Sequence, residues 1–226
     1  MLRNFNIIKD CVVQGTDGII GSVADVYFND QTWEIFYIAA DTDTWLDGRH
    51  VLIARESLLT PKWETGSFPA NVSQAQVKDG PPFEIDQPLN WKKEREICAY
   101  YRWATYYPLD DKELTVFPGI LTSANGLTDF SLHATDGEIG KIINFIVEDI
   151  SWTVRYLVVD TSKWLAGRKV LISPMWSKSI LWSDKMVDVD LNQAQIEQSP
   201  EYDPYQPIQR LYEDRLYKYY GKPQYW

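Results

Sequence analysis

The sequence predicts a mainly β protein made of two tandem small β-barrels, each followed by a short helical extension. Three observations support this prediction. Residues 17–54 match residues 136–173 without a gap, at a constant separation of 119 positions. Turn residues divide each copy into short runs rich in β-branched and aromatic residues, as in a β meander. Both faces of these runs carry apolar side chains, which suits a small, coiled barrel with another element packed on its outside.

The repeat preserves individual glycines, tryptophans and strand ends. Its register continues beyond the strands, where Gln74-Ala75-Gln76 matches Gln193-Ala194-Gln195. A repeat of this length indicates the duplication of a whole domain and not a short solenoid unit. The identical pairs include Asp17/Asp136, Gly21/Gly140, Trp33/Trp152, Tyr37/Tyr156, Asp41/Asp160, Trp45/Trp164 and Arg49/Arg168.

Turn and breaker residues place the strands within one copy. Asp136-Gly137 is a turn signal, because glycine accepts a positive φ and aspartate bonds to nearby backbone. Pro174 should end the third strand, because proline has no N–H to donate to a ladder. The predicted strands of the second copy are Ile139 to Val147, Trp152 to Val159, Lys169 to Ile172 and Met186 to Val189.

The repeated pattern DGxIGxV, a hydrophobic run, then W, Y(L/I), D(T) and G(R/K)xVLI(S/P) resembles the PRC-barrel family. That family includes the cytoplasmic domain of the photosynthetic reaction-centre H subunit and the C-terminal domain of a ribosome maturation factor. The resemblance covers most of the chain. It implies a small β-barrel that docks onto larger assemblies, and it provides no catalytic residues to transfer.

The expected domain boundaries follow from the repeat and from its turn and proline residues. Residues 1–82 form the first PRC-barrel unit and residues 120–201 the second, with a linker at 83–119 and a C-terminal extension at 202–226. Met1-Leu2-Arg3 aligns with Ile120-Leu121-Thr122, so each unit should have its own lead-in strand. Asn90 to Trp103 is expected to be partly helical. The tail has apolar residues at helical spacing, including Ile208, Leu211, Tyr212, Leu216 and Tyr219.

Composition restricts the class of partner. The net charge is −10, and a nucleic-acid backbone or an anionic membrane surface would require a basic face. No apolar run approaches the ~20 residues that span a bilayer. The two cysteines, Cys11 and Cys98, have no metal-ligand spacing. We therefore expect a cytoplasmic protein, associated with a membrane complex only through a partner, and we predict no cofactor, metal or small-molecule substrate.

Two repeated pairs of polar residues are candidate chemistry. Asp41 and Asp160 could be general bases or metal ligands, but an Asx-turn or a cap at the strand end is the favoured interpretation. Arg49 and Arg168 could bind a partner's carboxylate. The favoured alternative is an ion pair within each domain, with Asp41 or Asp160, that holds the long turn.

Aromatic residues are candidates for partner binding. Trp45 and Trp164 lie in the same predicted turn, where they would either anchor an interface or plug the end of the barrel. Tyr212 and Tyr219 lie on the tail helix, whose apolar stripe is expected chiefly to cover its own domain. His50 and His133 are not repeated, and no Ser-His-Asp, Cys-His or HExxH arrangement is found.

These observations favour a non-catalytic protein-interaction or assembly module that binds a protein partner or itself, as a homodimer. Two alternatives remain open from the sequence. One is an accessory protein of a photosynthetic reaction centre, in keeping with the H-subunit resemblance. The other is a metal-binding protein or enzyme that uses carboxylates.

Overall fold

The computed structural model describes residues 1–46, 48–85, 87–110, 112–115, 119–161 and 168–226, and its chain divides into two units. The N-terminal unit is Asn6–Gly126. The C-terminal unit joins Met1–Phe5 to Leu127–Trp226. The chain begins with strand β1 (Leu2–Asn4), which is part of the C-terminal unit, and continues into helix α1 (Phe5–Lys9).

The N-terminal unit contains one six-stranded sheet and two longer helical segments. Along the sheet the order is β5-β4-β3-β2-β6, and β7 pairs with β3 as well. Single turns of 3-10 helix occur at Arg55–Ser57, Trp63–Thr65 and Glu113–Thr115. The strands and helices are β2 (Val12–Gln14), β3 (Ile19–Asn29), β4 (Ile35–Asp41), β5 (His50–Ala54), β6 (Ser67–Pro69), α2 (Gln74–Asp79), α3 (Trp91–Tyr101) and β7 (Leu121–Ser123).

Helix α4 (Ala124–Leu127) leads into the C-terminal unit, which contains a seven-stranded sheet. Its order is β11-β10-β9-β8-β13-β12, and β1 pairs with β9 as well. A 3-10 turn occurs at Pro174–Trp176. The strands and helices are β8 (Ser131–Ala134), β9 (Gly137–Glu148), β10 (Thr153–Asp160), β11 (Lys169–Ile172), β12 (Ser177–Leu181), β13 (Met186–Val189), α5 (Gln193–Glu197) and α6 (Arg210–Tyr220).

The prediction of a mainly β protein is confirmed, and the observed architecture is two sheets of six and seven strands with helices. In each unit the parallel pair, β2 with β6 and β8 with β13, occupies the same place. Within the described part of the chain, no pair of strands joins the two ends of either sheet.

The lead-in strands are exchanged between the two copies of the repeat. Strand β1 pairs with β9 of the second copy, and β7 pairs with β3 of the first copy. The register is the same in both, since Leu2 faces Glu148 and Leu121 faces the equivalent Asn29. The structural units therefore differ from the expected division at residues 1–82 and 120–201. Because the two lead-ins match each other in sequence, the repeat does not reveal which sheet each one joins.

One side-chain hydrogen bond holds each exchanged strand at the same point. In the N-terminal unit, the Ser123 hydroxyl donates to a carboxylate oxygen of the fully buried Asp25. In the C-terminal unit, Asn144 Nδ2 donates to Asn4 Oδ1 at 2.8 Å. Asp25 and Asn144 are equivalent in the repeat, as are Ser123 and Asn4. Since buried polar groups require partners, these bonds favour one position of the strand along the sheet.

The helical extensions predicted after each copy are confirmed, and each belongs to the unit of its own copy. Helix α3 begins after Asn90, whose side chain accepts a hydrogen bond from the Lys93 amide at 3.0 Å. Helix α6 ends at Gly221, which has φ 63°. Residues Ile97 and Cys98 of α3 are buried in a core that includes Tyr27, Tyr37, Leu52 and Leu121. The outer helices thus cover one face of each sheet.

The prediction that a strand begins at Trp152 is wrong by one residue, for a reason that both copies share. Trp33 and Trp152 have φ values of 62° and 52° and lie in the turns that precede β4 and β10. A left-handed conformation is unfavourable for a bulky residue. Burial of the indole offsets that cost, since Trp33 is 1% exposed and stacks on Phe28 with ring centroids 5.0 Å apart.

Candidate functional site

A buried tyrosine–glutamate pair joins the sheet to the outer helix in each unit. In the N-terminal unit, the Tyr37 hydroxyl on β4 donates to Glu94 Oε1 on α3 at 2.6 Å. In the C-terminal unit, the Tyr156 hydroxyl on β10 donates to Glu213 Oε1 on α6 at 2.7 Å. Burial, with the carboxylate nearby, raises the pKa of both tyrosines far above its usual range. Both hydroxyls therefore stay protonated and keep donating near neutral pH.

The Glu213 carboxylate of the C-terminal unit is satisfied at both oxygens. Oε1 also accepts a hydrogen bond from the Tyr225 hydroxyl at 2.7 Å, and Oε2 lies 2.9 Å from Arg210 Nη1. The Arg210 guanidinium also lies over the Trp226 ring, 4.1 Å from its centroid. Burial raises the pKa of Tyr225, and its hydrogen bond to Glu213 raises it further. The glutamate thus has a cation and two hydroxyl donors within its own unit.

The Glu94 carboxylate of the N-terminal unit is satisfied at one oxygen. Oε1 accepts hydrogen bonds from the Tyr106 amide at 2.6 Å and from the Cys98 thiol at 3.5 Å, in addition to Tyr37. Oε2 is buried, and no described residue donates to it. Glu94 itself is 0% exposed. Position 91, equivalent to Arg210, is Trp91, so this copy lacks the guanidinium that binds Glu213.

Cys98 belongs to the same buried cluster. Its Sγ lies 3.3 Å from the Tyr37 hydroxyl. Burial raises the pKa of this thiol to about 12, while the Tyr37 hydroxyl lowers it and the Glu94 carboxylate raises it. The thiol is therefore neutral near neutral pH, in a form that is a poor nucleophile. Cys98 contributes packing and a weak hydrogen bond to the cluster.

Arg49 and Arg168 point into their own units in the same way. Arg49 Nη1 donates to the Lys78 carbonyl at 2.8 Å, and Nη2 donates to the Gly80 carbonyl. Arg168 donates to the equivalent carbonyls, those of Glu197 and Ser199. The expected ion pairs with Asp41 and Asp160 are replaced by these carbonyl contacts. The reason is the position of helices α2 and α5, whose C-terminal carbonyls carry partial negative charge.

The repeated aspartates lie where the strands end. Asp41 is the last residue of β4, and its Oδ1 accepts a hydrogen bond from the Asp43 amide at 2.9 Å. This contact is the Asx-turn that the sequence favoured. Asp160 is the last residue of β10 and faces Lys169 across the ladder. The candidate carboxylates therefore terminate strands in both copies.

The aromatic candidates also make contacts inside their units. The Trp45 indole is half-buried, and its Nε1 donates to the Ile20 carbonyl at 2.8 Å. Trp164 lies outside the described residues. The Tyr212 hydroxyl donates to the Pro200 carbonyl at 3.1 Å, and the Tyr219 hydroxyl donates to the Gln195 carbonyl at 2.9 Å. Tyr219 is 39% exposed and so presents part of its ring at the surface.

A groove occurs at the same place in both units, beside the first turn of the outer helix. Its volume is about 280 Å³ in the N-terminal unit and about 340 Å³ in the C-terminal unit. Every residue that lines the first groove has its equivalent, 119 positions further on, in the lining of the second. The pairs include Phe83/Tyr202, Glu84/Asp203, Gln87/Gln206, Pro88/Pro207, Leu89/Ile208 and Lys93/Tyr212.

Two further hollows of the N-terminal unit coincide with substitutions between the copies. One, of about 500 Å³, is lined by Ser57, and the equivalent residue Trp176 is buried against Tyr217 and Tyr220. The other, of about 170 Å³, is lined by Phe36 and Tyr106, where the second copy has Arg155 over the ring of Tyr225. In the second copy, the larger Trp176 and the charged Arg155 therefore occupy positions that line hollows in the first.

Our sequence reasoning missed Glu94 and Glu213. Both lie in predicted helices, where few of the neighbouring residues are identical between the two copies. Extending the separation of 119 positions to Tyr106 and Tyr225 would have matched the two glutamates in advance. The duplicated groove carries a similar signal in Gln87-Pro88 and Gln206-Pro207.

Among the described residues, no group of three or more histidine, cysteine, aspartate or glutamate side chains is placed to hold a metal ion. No helix in the described part of the chain is long and apolar enough to cross a membrane. The chain matches no protein-family model, and no curated protein is detectably similar to it.

Proposed function

We propose that the protein is a non-catalytic assembly module of the PRC-barrel type, in which each copy of the fold presents one groove to a protein partner. The duplicated groove is the observation that carries this proposal. Two sites with equivalent linings in one chain suit a partner that is itself repeated or dimeric, because linked sites gain avidity without new contacts.

The chemistry of the groove supports a protein partner. In both copies its lining combines aromatic, proline and aliphatic residues with acidic and amide side chains. Interfaces commonly place apolar contacts at the centre and polar groups at the rim. Gln87 and Gln206 are exposed, so both can be reached from solvent.

The other candidate residues support a scaffold and not a reaction centre. Arg49, Arg168 and Trp45 hold backbone carbonyls of their own units, and Asp41 forms an Asx-turn. These side chains stabilise the fold of their own units. This agrees with the PRC-barrel resemblance, which implies docking onto larger assemblies.

A matched pair of double variants tests the proposal. Gln87→Arg with Gln206→Arg places a long cation in each groove, and Leu59→Arg with Ile150→Arg adds the same charge at positions that are 58% and 83% exposed. Affinity capture from native lysate with quantitative mass spectrometry, together with light scattering, would compare both variants with the wild type.

The expected result is that one partner, or self-association, is lost in the groove variant and retained in the control variant. Equal loss in both variants would contradict the proposal. So would a wild-type protein that recovers nothing above background and stays monomeric at high concentration.

A further inference from the structure

We infer that Glu94 anchors a guanidinium-binding site in the N-terminal unit, and that the second copy of the repeat fills the corresponding site with its own Arg210. The inference is independent of the groove proposed above. It rests on a comparison of Glu94 and Glu213, which occupy equivalent positions of the two outer helices, α3 and α6.

The first step is the unmet requirement of Glu94. Its Oε2 is buried and receives no hydrogen bond from a described residue, while Oε1 accepts three. Leaving a buried charged acceptor without a partner is costly, and such groups need an explanation. The carboxylate is therefore poised to accept a donor that the described residues of this unit do not supply.

The second copy identifies that donor. Glu213 Oε2 lies 2.9 Å from the Arg210 guanidinium, three residues earlier on α6. Arginine pairs with carboxylates through a planar fork of N–H groups and stacks on aromatic rings. Both features occur there, since Arg210 also lies over Trp226 and, at 5.7 Å, over Tyr225.

The N-terminal unit keeps the aromatic surroundings without the arginine. Tyr106 and Tyr107 are equivalent to Tyr225 and Trp226, and their ring centroids lie 4.9 Å apart. Cations bind favourably over such rings. Trp91 takes the place of Arg210, and the copy thus retains the carboxylate and the rings that a guanidinium would contact.

A pocket lies beside the cluster. Its volume is about 170 Å³, and its lining includes Phe36, Tyr37, Arg55, Glu56, Thr105 and Tyr106. Two of these lining residues, Tyr37 and Tyr106, donate to Glu94 Oε1. At the equivalent place in the C-terminal unit, Arg155 replaces Phe36, pairs with Glu148 and rests 4.2 Å from the Tyr225 centroid.

The charges around the pocket suit a cation. Arg55 is paired with Glu34 at 2.7 Å, so its charge is compensated. Glu56 accepts a hydrogen bond from the Ala104 amide and forms no ion pair with a described residue. A ligand cation in the pocket would thus meet the Glu56 carboxylate, beside the two residues, Tyr37 and Tyr106, that donate to the buried Glu94. The guanidinium could come from an arginine of a protein partner or from a free small molecule.

The test is an NMR titration of the full chain with three probes. N-acetyl-arginine amide presents an arginine side chain, N-acetyl-citrulline amide is its uncharged analogue of the same shape, and methylguanidinium is the small cation alone. The backbone amide of Tyr106 is the reporter, because it donates to Glu94. The arginine derivative should shift this signal saturably, at least about tenfold more tightly than the citrulline derivative.

Two variants at one position sharpen the test. Trp91→Arg supplies the guanidinium that the second copy has, and it should weaken binding of the arginine derivative by at least about tenfold. Trp91→Gln removes the indole without adding a charge and should retain binding. Tighter binding of the arginine derivative than of methylguanidinium indicates a peptide ligand, and equal binding indicates a small molecule.

The inference is overturned if the arginine and citrulline derivatives bind equally, or if neither shifts the Tyr106 signal. It is also overturned if Trp91→Arg, with a spectrum as well dispersed as the wild type, binds as tightly as the wild type. Loss of the groove-dependent partner would leave this result unchanged, so the two proposals fail separately.

Discussion

The two units solve one problem, the burial of a glutamate beneath an outer helix, in different ways. In the C-terminal unit, Arg210 and two tyrosine hydroxyls surround Glu213. In the N-terminal unit, Glu94 has one oxygen without a donor among the described residues. The shared part is the bond between tyrosine and glutamate that fastens helix to sheet. The two copies differ in the other groups that contact the glutamate, and a function specific to one copy can develop at these positions.

The same contrast holds beyond the glutamates. The exchanged strands, the arginine contacts to helix carbonyls and the grooves are retained in both copies. Ser57 and Trp176 differ, as do Phe36 and Arg155, and Ser57 and Phe36 line hollows of the N-terminal unit. Contacts that the backbone arrangement requires are therefore preserved, and the side chains at these hollows have diverged.

The largest expected effect comes from deleting residues 1–5. The deletion removes strand β1 and the buried Phe5, which packs edge-on against Phe145. Loss of a buried phenylalanine alone costs ~3–5 kcal/mol, so we expect at least that loss in the C-terminal unit. Hydrogen exchange should report lost protection in residues 137–148 and unchanged protection in residues 19–29. Loss in residues 19–29 instead would contradict the strand exchange.

Next in size are substitutions of two equivalent glycines. A Cβ at Gly21 would lie 1.9 Å from the Asp41 carbonyl oxygen, and one at Gly140 would lie 2.4 Å from the Asp160 carbonyl oxygen. Overpacking against backbone costs ~1–3 kcal/mol or more, so Gly21→Ala should destabilise more than Gly140→Ala. Urea unfolding measures both. Gly18→Ala is the control, because its Cβ would meet only the Gln74 side chain.

A smaller effect separates the two glutamates directly. Tyr37→Phe and Tyr156→Phe each remove one hydroxyl donor at constant shape, and each should cost ~1–3 kcal/mol. Tyr37→Phe should cost more, because Glu213 keeps Tyr225 and Arg210 whereas Glu94 keeps only an amide and a thiol. The free energies of unfolding from urea titration would compare the two. Equal losses of unfolding free energy would mean that the other donors to each glutamate do not affect the contribution of the tyrosine hydroxyl.

The smallest effect is a dependence on alkaline pH. The pKa values of Tyr37 and Tyr156 are raised in the folded state, so their contribution is fully present below the unfolded pKa near 10. Above that pH the unfolded chain releases protons that the folded chain retains, and stability falls by up to ~1.4 kcal/mol per pH unit for each group. Urea unfolding between pH 8 and 11 should show this slope, and the double variant to phenylalanine should reduce it, with other buried tyrosines such as Tyr107 and Tyr220 supplying the remainder. An unchanged slope would mean that other groups cause it.

Much of the fold follows from the sequence alone. The strands Lys169–Ile172 and Met186–Val189 were predicted with the bounds they have, because Pro174 and turn residues delimit them. The C-terminal outer helix follows from the apolar residues at helical spacing in the tail. These features depend on local chemistry, which a sequence displays directly.

The exchange of lead-in strands and the burial of Glu94 could not be predicted in the same way. Leu2 and Leu121 are equivalent and suit either sheet, so no local preference decides between them. Glu94 reads as a surface residue of an amphipathic helix, since glutamate is almost never fully buried unless it is paired. Its burial becomes visible only once Tyr37 and Tyr106 are placed beside it.

The exchanged strands also bear on how the protein is made. A polypeptide leaves the ribosome from its N-terminus, and its domains generally fold in that order. Here strand β3 (Ile19–Asn29) has no partner strand beside its C-terminal end on the β7 side until Leu121–Ser123 has emerged. Leu2–Asn4 find their partner only after Ile146–Glu148, far later in the chain, has been translated. The N-terminal unit is therefore complete only when the lead-in strand of the second copy has been translated, and strand β1 must stay available until the second copy follows.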